Sequence, residues 1–386
     1  MQPQTAKAVS KEVFINKISK FLPNEPIHNE DIEKYLGMID GKPSRARSIV
    51  LRNNGIKTRY YAIDQSGIST HTNAQLAKNA IEQLFDDNHQ VKDIDLLACG
   101  TTSPDQLLPS HASMVLGELK KKSVETLSVT GSCCTGVQAM NHCRLSIAAG
   151  EIKNAVCSGS EKLSTWMLAS KFEDESKYLS ALENNPMLAF DKEFLRWMLS
   201  DGAAAVWLSD TQNSDSISLK IDWIELTSYA NEEPVCMYAG AIKENEQFIS
   251  WNDLQPSDWA NKSVFSLKQD TKLLAKKIVT LGGKFLLDIT KKRNYKVEDI
   301  TYFLPHLSSM FFAQKIEEEL DKIGFGIPNE KWFVNLPRVG NVGSASAFLM
   351  LEELFNNKNL KKGEKILVMI PESARFSYAY IALTVV

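Results

Sequence analysis

The chain has 386 residues, 44% of them hydrophobic and 24% charged, with a formal net charge of −3. This length exceeds one ordinary core and implies two packed units in a globular chain. The charge gives no footprint for nucleic acid, no apolar run is long enough to span a bilayer, and the N-terminus lacks the apolar core of a signal peptide, so a cytoplasmic location is expected.

Strand-like and helix-like segments alternate, which predicts an α/β fold. Residues 12–21 read as a strand, 28–36 open with an Asn-Glu-Asp cluster suited to a helix start, and 74–85 carry apolar residues at helical spacing. Residues 94–100 read as a buried strand of parallel type. A helix over 113–119 and a strand over 126–129 follow. Then come GSCCTG, a helix over 137–149 stopped by Gly150, and a strand over 154–160. The segment 164–199 is amphipathic and aromatic-rich, and reads either as a lid or pocket wall inserted at about 164–200 or as an ordinary surface excursion. The polar stretch 210–216 marks a boundary between an N-terminal half, 1–211, and a C-terminal half, 212–386. In the second half, 263–287 reads as mostly helical, 301–304 as a strand ending at Pro305-His306, and 312–323 as a helix. A short strand over 332–336, a helix over 345–355 and a strand over 366–370 complete the chain, with sheets expected to be rich in parallel pairs.

Two stretches share one order. In the first, strand, loop, Cys134, Gly136, helix, strand and Glu161 follow one another; in the second, strand, loop, Asn341, Gly343, helix, strand and Glu372 do so. Two copies of one unit, each placing a polar residue at a helix N-terminus, imply a pseudo-two-fold arrangement.

The six cysteines are Cys99, Cys133, Cys134, Cys143, Cys157 and Cys236, with no CxxC spacing. A disulfide framework does not suit a cytosolic chain of this size, which leaves buried small hydrophobes and one reactive thiol. A thiol at a helix N-terminus feels the positive end of the helix dipole, which favours thiolate, and a thiolate accepts an acyl group from a thioester at little cost. Taken alone, Cys133 and Cys134 read equally well as core residues, His306 as a hydrogen-bonded histidine and Asn341 as a helix cap.

Together they carry more. Cys134-Thr-Gly136, Pro305-His306 and Gly340-Asn341-Val-Gly-Ser344-Ala-Ser346, in that order, resemble the motifs of the ketoacyl-acyl-carrier-protein synthase III branch of the thiolase superfamily. Gly55-Ile-Lys-Thr-Arg59, Thr101-Thr-Ser-Pro-Asp105, Gly159-Ser-Glu-Lys-Leu-Ser164 and Asp201-Gly-Ala extend the resemblance over nearly the whole chain. It implies a five-layer αβαβα thiolase fold, a homodimer, no bound cofactor or metal, and thioesters of coenzyme A or acyl carrier protein as substrates. It assigns the nucleophile to Cys134 rather than Cys133, because the glycine belongs two residues after it. His306 and Asn341 become the donors to a thioester carbonyl that turns into an enolate. The backbone N–H of Cys134 and one from the 372–375 loop would hold the oxyanion of the acyl-transfer step. Leu108, Phe194, Trp197, Ala374 and Phe376 fall at substrate-binding positions.

The chain also departs from that branch. Pro371-Glu-Ser-Ala-Arg375-Phe-Ser-Tyr replaces a glycine run, so Glu372 either enters the site, as a base or an orienting group, or stays a solvent-exposed carboxylate; Arg375 pairs with it or faces solvent. The basic position for carrier-protein docking falls near Phe311, with Glu317-Glu-Glu319 following. The tryptophan that stacks on adenine is missing, while Arg52 remains as a candidate phosphate contact. With Phe194-Leu-Arg-Trp197-Met-Leu-Ser-Asp-Gly202 and Pro371-Glu-Ser, these departures resemble the ketosynthases of dialkylresorcinol and cyclohexanedione biosynthesis, which join a β-ketoacyl thioester to a second acyl thioester. The rival readings are an initiating β-ketoacyl synthase III using acyl-CoA and malonyl carrier protein, and a catalytically silent partner subunit. A thiolase proper needs a second cysteine near the C-terminus, and none follows Cys236.

Overall fold

A computed structural model describes residues 10–44, 47–120, 122–172, 194–245 and 247–386. Most of the expected 164–200 insertion therefore lies outside the described residues. Among these, nine strands form one sheet: β1 (Phe14–Phe21), β2 (Leu96–Thr101), β3 (Glu125–Thr130), β4 (Asn154–Glu161), β5 (Gly202–Ser209), β6 (Leu219–Ser228), β7 (Tyr302–Pro305), β8 (Lys365–Glu372) and β9 (Ser377–Val385), in the order β7-β8-β9-β6-β1-β5-β4-β2-β3. The six longer helices are α1 (Asn73–Glu82), α2 (His111–Leu119), α3 (Thr135–Ala149), α4 (Thr271–Arg293), α5 (Phe311–Lys322) and α6 (Ser346–Asn357).

The sheet is two halves joined at a corner, since β1 and β6 share only the pairs Phe14–Lys220 and Ile15–Leu219. Side-chain alternation along the strands sends successive residues to opposite faces. In β8, Ile366, Val368 and Ile370 enter one apolar layer and Leu367 and Met369 another. The central layer packs α3 and α6 between the two sheet halves; α1 and α2 cover the outer face of one half, and α4 and α5 that of the other. This is the five-layer thiolase arrangement.

The expected predominance of parallel pairing is corrected. β2–β3, β2–β4 and β7–β8 are parallel, but β1–β5, β1–β6, β4–β5, β6–β9 and β8–β9 are antiparallel. The tight turn between β8 and β9 leaves no room for the crossover that parallel strands require. β5, β6 and β9 have no counterpart among the expected elements. The helix expected from residue 263 begins at Thr271, where the Asp270 carboxylate accepts the Leu273 N–H at 2.9 Å. The strand expected at 332–336 reduces to a single bridge between Trp332 and Phe303, followed by the helical turn Leu336–Val339 around Pro337, which has no N–H to give a ladder. No helix among the described residues is long and apolar enough to cross a membrane.

The central layer closes on one backbone contact. A methyl group at Gly136 would stand 2.5 Å from the Ser344 carbonyl oxygen, and one at Gly159 only 2.4 Å from it. Glycine is needed at both positions for the two halves to approach. Gly159→Ala is expected to destabilise the fold by about 1–3 kcal/mol through this overpacking, read from urea unfolding curves.

Candidate active site

Cys134 precedes the first residue of α3 and is fully buried. Its N–H donates to Glu372 Oε2 at 3.0 Å, and its thiol donates to the Ile370 carbonyl at 3.5 Å. Both partners come from the end of β8, in the other half of the chain. The expected depression of the thiol pKa is corrected: burial, the Glu372 carboxylate and the neighbouring Cys133 push it well above the ordinary value. Cys133 is likewise pushed up to about 12, by burial and then by Glu372.

His306 follows Pro305 at the end of β7, and its N–H donates to the Met369 carbonyl at 2.7 Å. Burial lowers its pKa to about 4, so the imidazole is neutral at physiological pH. Asn341 lies in the turn before α6, its N–H held by the Met198 carbonyl at 3.0 Å. The Asn341 Oδ1 accepts the Gly343 N–H at 3.0 Å and the Ser346 hydroxyl at 3.5 Å. What the side chain has left to offer a ligand is its Nδ2 amide. Asn341 is not the cap of α6, a position held by Ala345.

His306 and Asn341 line one cavity with Thr102, Ser132 and Cys133. Cys134 sits behind this wall, its sulfur turned to Ile370. An apolar arm runs from the polar end past Leu195, Leu199, Leu274, Ile278, Phe312 and Ile316. Met198, Met237 and Met369 also line it, and on the far side Gln269 Nε2 donates to the Ser373 hydroxyl at 2.8 Å. The void is narrow, about 50 Å³ of water-sized space, and the flexible side chains of three methionines border it. A second, more open hollow bordered by Ile49, Asn53, Phe194 and Phe311 shares Leu274 and Phe312 with the first.

Two buried carboxylates brace the site. Glu161 accepts the backbone N–H and hydroxyl of Thr102, the Ser103 hydroxyl and the Ser344 N–H, tying β4 to the turn before α6. Asp201 accepts the N–H groups of Ala62, Leu163 and Ser164 and the Ser164 hydroxyl. The sequence marked both only as parts of motifs.

The remaining sequence candidates scatter. Glu372 is buried with its carboxyl on the Cys134 amide, and burial raises its pKa. Its solvent-exposed alternative is therefore excluded, as is pairing with Arg375, whose Nε instead donates to the Glu233 carbonyl at 3.4 Å. Arg52 is exposed on the helix Arg47–Asn54, outside the residues that line either hollow. Leu108 is 85% exposed, beside the equally prominent Leu107. Phe194 borders the second hollow, while Trp197 is wholly buried and its carbonyl accepts Asn54 Nδ2 and Arg59 Nη2. The Ala374 carbonyl receives the Cys236 and Met237 N–H groups, and Phe376 is buried with φ +55. Sequence reasoning missed the three methionines, Gln269 and the cavity-facing side of Cys133; Met237, Met369 and Gln269 belong to no motif, and the pairing of distant segments brings them here.

Comparison with known proteins agrees with this geometry. Residues 62–214 match the family profile of the β-ketoacyl synthase N-terminal domain, and residues 290–370 that of the 3-oxoacyl-[acyl-carrier-protein] synthase III C terminal. The β-ketoacyl-[acyl-carrier-protein] synthase III of Clostridium perfringens is 26% identical over 357 residues, covering 90% of this chain and 92% of its own length; that of Aquifex aeolicus is 24% identical over 348 residues, with the same coverage. Among solved structures, AbyA1, a tetronic acid condensing enzyme, superposes with a TM-score of 0.75 at 21% identity, over 96% of this chain and 99% of its own. Xanthomonas campestris OleA with bound lauric acid and lauroyl-CoA does so with 0.73 at 20%, over 97% and 99%. Over about 90% of its length the chain is thus similar to condensing enzymes of the β-ketoacyl synthase III type, and its fold is theirs.

Proposed function

We propose that the enzyme joins two acyl thioesters, one of them a β-ketoacyl thioester, through an acyl-Cys134 intermediate, and closes the product to a cyclohexanedione, a dialkylresorcinol precursor. The observation that carries this reading is the meeting of His306 and Asn341 on one wall of an apolar cavity whose inner end is the Cys133-Cys134 turn. Cys134 takes the first acyl group. The second thioester loses its α-proton, which the departing Cys134 thiolate later recovers, and the carbonyl oxygen of the resulting carbanion, becoming negative, is met by the imidazole of His306 and the Nδ2 amide of Asn341. The carbanion attacks the acyl-cysteine carbonyl, the new carbon–carbon bond forms and the Cys134 thiol is released. Where the first acyl group carries an α,β-double bond, a Michael-type ring closure onto its β-carbon follows, with Glu372 as the candidate base. The polar corner of Gln269 and Ser373 suits a β-keto oxygen, and the methionines suit long chains of varied shape. Coenzyme A or acyl carrier protein delivers both substrates, with Arg52 a candidate phosphate contact. A homodimer belongs to the same proposal, supported by the exposed Leu107 and Leu108 and by β3, an unpaired edge of the sheet.

A second reading, initiation of fatty-acid synthesis from acyl-CoA and malonyl carrier protein, draws support from the names of the curated relatives. Feeding the enzyme an α,β-unsaturated acyl-CoA with either a β-ketoacyl-CoA or malonyl carrier protein separates the two. Cyclic diketone in the first mixture supports the proposal; a linear β-ketoacyl carrier protein in the second, and nothing in the first, favours initiation.

Intact mass after exposure to acyl-CoA is expected to show one acyl adduct that Cys134→Ala abolishes. Asn341→Ala should keep the adduct and lose condensation by about 10²-fold, the effect of one lost oxyanion donor. His306 gives a pH prediction. Its folded pKa lies below the unfolded value, so the unfolded chain takes up the proton first, and stability is lost as pH falls through 6.5 towards 4. Between pH 7 and pH 5, urea unfolding of His306→Asn is expected to lose about 2 kcal/mol less than that of the wild type.

A further inference from the structure

The Cys134 amide is already taken. At the N-terminus of α3 this N–H is the donor nearest the sulfur, the place where the oxygen of an attacked thioester would settle, and the Glu372 carboxylate holds it at 3.0 Å. A second backbone donor, the Ser132 N–H, also bonds to this carboxylate. Glu372 has no ion-pair partner among the described residues: the cation three residues on, Arg375, bonds elsewhere. The titratable groups that feel its charge are the thiols of Cys133 and Cys134, both in the turn before α3. A carboxylate left in place would repel the developing oxyanion and raise the cost of the thiolate. A protonated carboxyl is a much weaker acceptor and releases the amide.

Resting on the condensing reading above, we propose that Glu372 is the proton acceptor for Cys134 in acyl transfer, and that taking the proton is what frees the Cys134 N–H for the thioester oxygen. In the first step the sulfur bonds to the thioester carbonyl carbon, the thiol proton passes to the Glu372 carboxylate, and the carbonyl π pair moves onto oxygen, which takes over the N–H. In the second, the oxygen's pair re-forms the carbonyl, the bond to the departing thiolate breaks, and that thiolate recovers the proton from Glu372. The products are acyl-Cys134 and a free thiol, and the carboxylate returns to the amide.

The test compares the wild type with Glu372→Gln, which keeps an acceptor oxygen but cannot take a proton. Rapid quench and intact mass give the acylation rate with acyl-CoA from pH 5 to 9, and absorbance at 240 nm against Cys134→Ala gives thiol ionisation. Glu372→Gln is expected to acylate about 10²-fold more slowly or worse, although its thiol ionises at lower pH than in the wild type. A merely structural role would not move the two readings in opposite senses. The wild-type rate is expected to fall in acid as the carboxylate protonates, a limb that needs no variant to observe. Equal or faster acylation by Glu372→Gln, or a wild-type rate flat down to pH 5, overturns the proposal while leaving acyl-cysteine chemistry intact. Absence of any adduct on the wild type overturns the condensing reading, and this one with it.

Discussion

The molecule is organised around the point where the Ser344 carbonyl passes over Gly136 and Gly159. Neither glycine has room for a methyl group there, so the N-terminus of α3 and the turn before α6 sit at backbone contact across the two halves. Gly100 adds to it, since a methyl on β2 would strike the Thr135 backbone at 2.5 Å. The Ser344 hydroxyl bonds to the carbonyls of Gly100 and Ser160, and the Ser344 N–H to Glu161. Cys134 and Asn341 stand on either side of this crossing. Their relative position is therefore set by close-packed backbone, which relaxes little, rather than by long side chains.

Three buried carboxylates show how different satisfaction leads to different roles. Glu161 and Asp201 each gather several N–H and hydroxyl donors, and both act as fixed struts between segments far apart in sequence. Glu372 has only backbone donors from the Cys134 turn, and one of these stands at the reacting centre. A strut with many partners is expensive to move, whereas a carboxylate with two is poised to exchange them.

The proposed trio of Cys134, His306 and Asn341 could be picked out in the sequence because each member sits at a strand end or a strand-to-helix turn, where a short motif carries the local geometry. The ends of α3 were legible for the same reason: Gly150 adopts the left-handed conformation that stops the helix. What sequence could not show was pairing between distant segments. β5 pairs with β1 and β4, and β6 with β1 and β9, all far along the chain, so local periodicity carried no sign of them; β9 joins β6 in this way besides closing its hairpin with β8. The inward turn of Glu372 depends on the β8–β9 hairpin and on Phe376 in a left-handed conformation, which a glycine run would not have announced. The helix dipole at the start of α3 favours thiolate, but burial and the Glu372 carboxylate oppose it and prevail, and neither was visible in the local sequence.

That opposition has a consequence for the enzyme at rest. Oxidation to sulfenic acid and disulfide exchange both begin from an accessible thiolate. Cys134 offers neither condition: it has no exposed surface, and its surroundings keep the proton on sulfur. At rest the Cys134 sulfur is thus shielded from peroxide and stray thiols, held buried and protonated in a chemically quiet form.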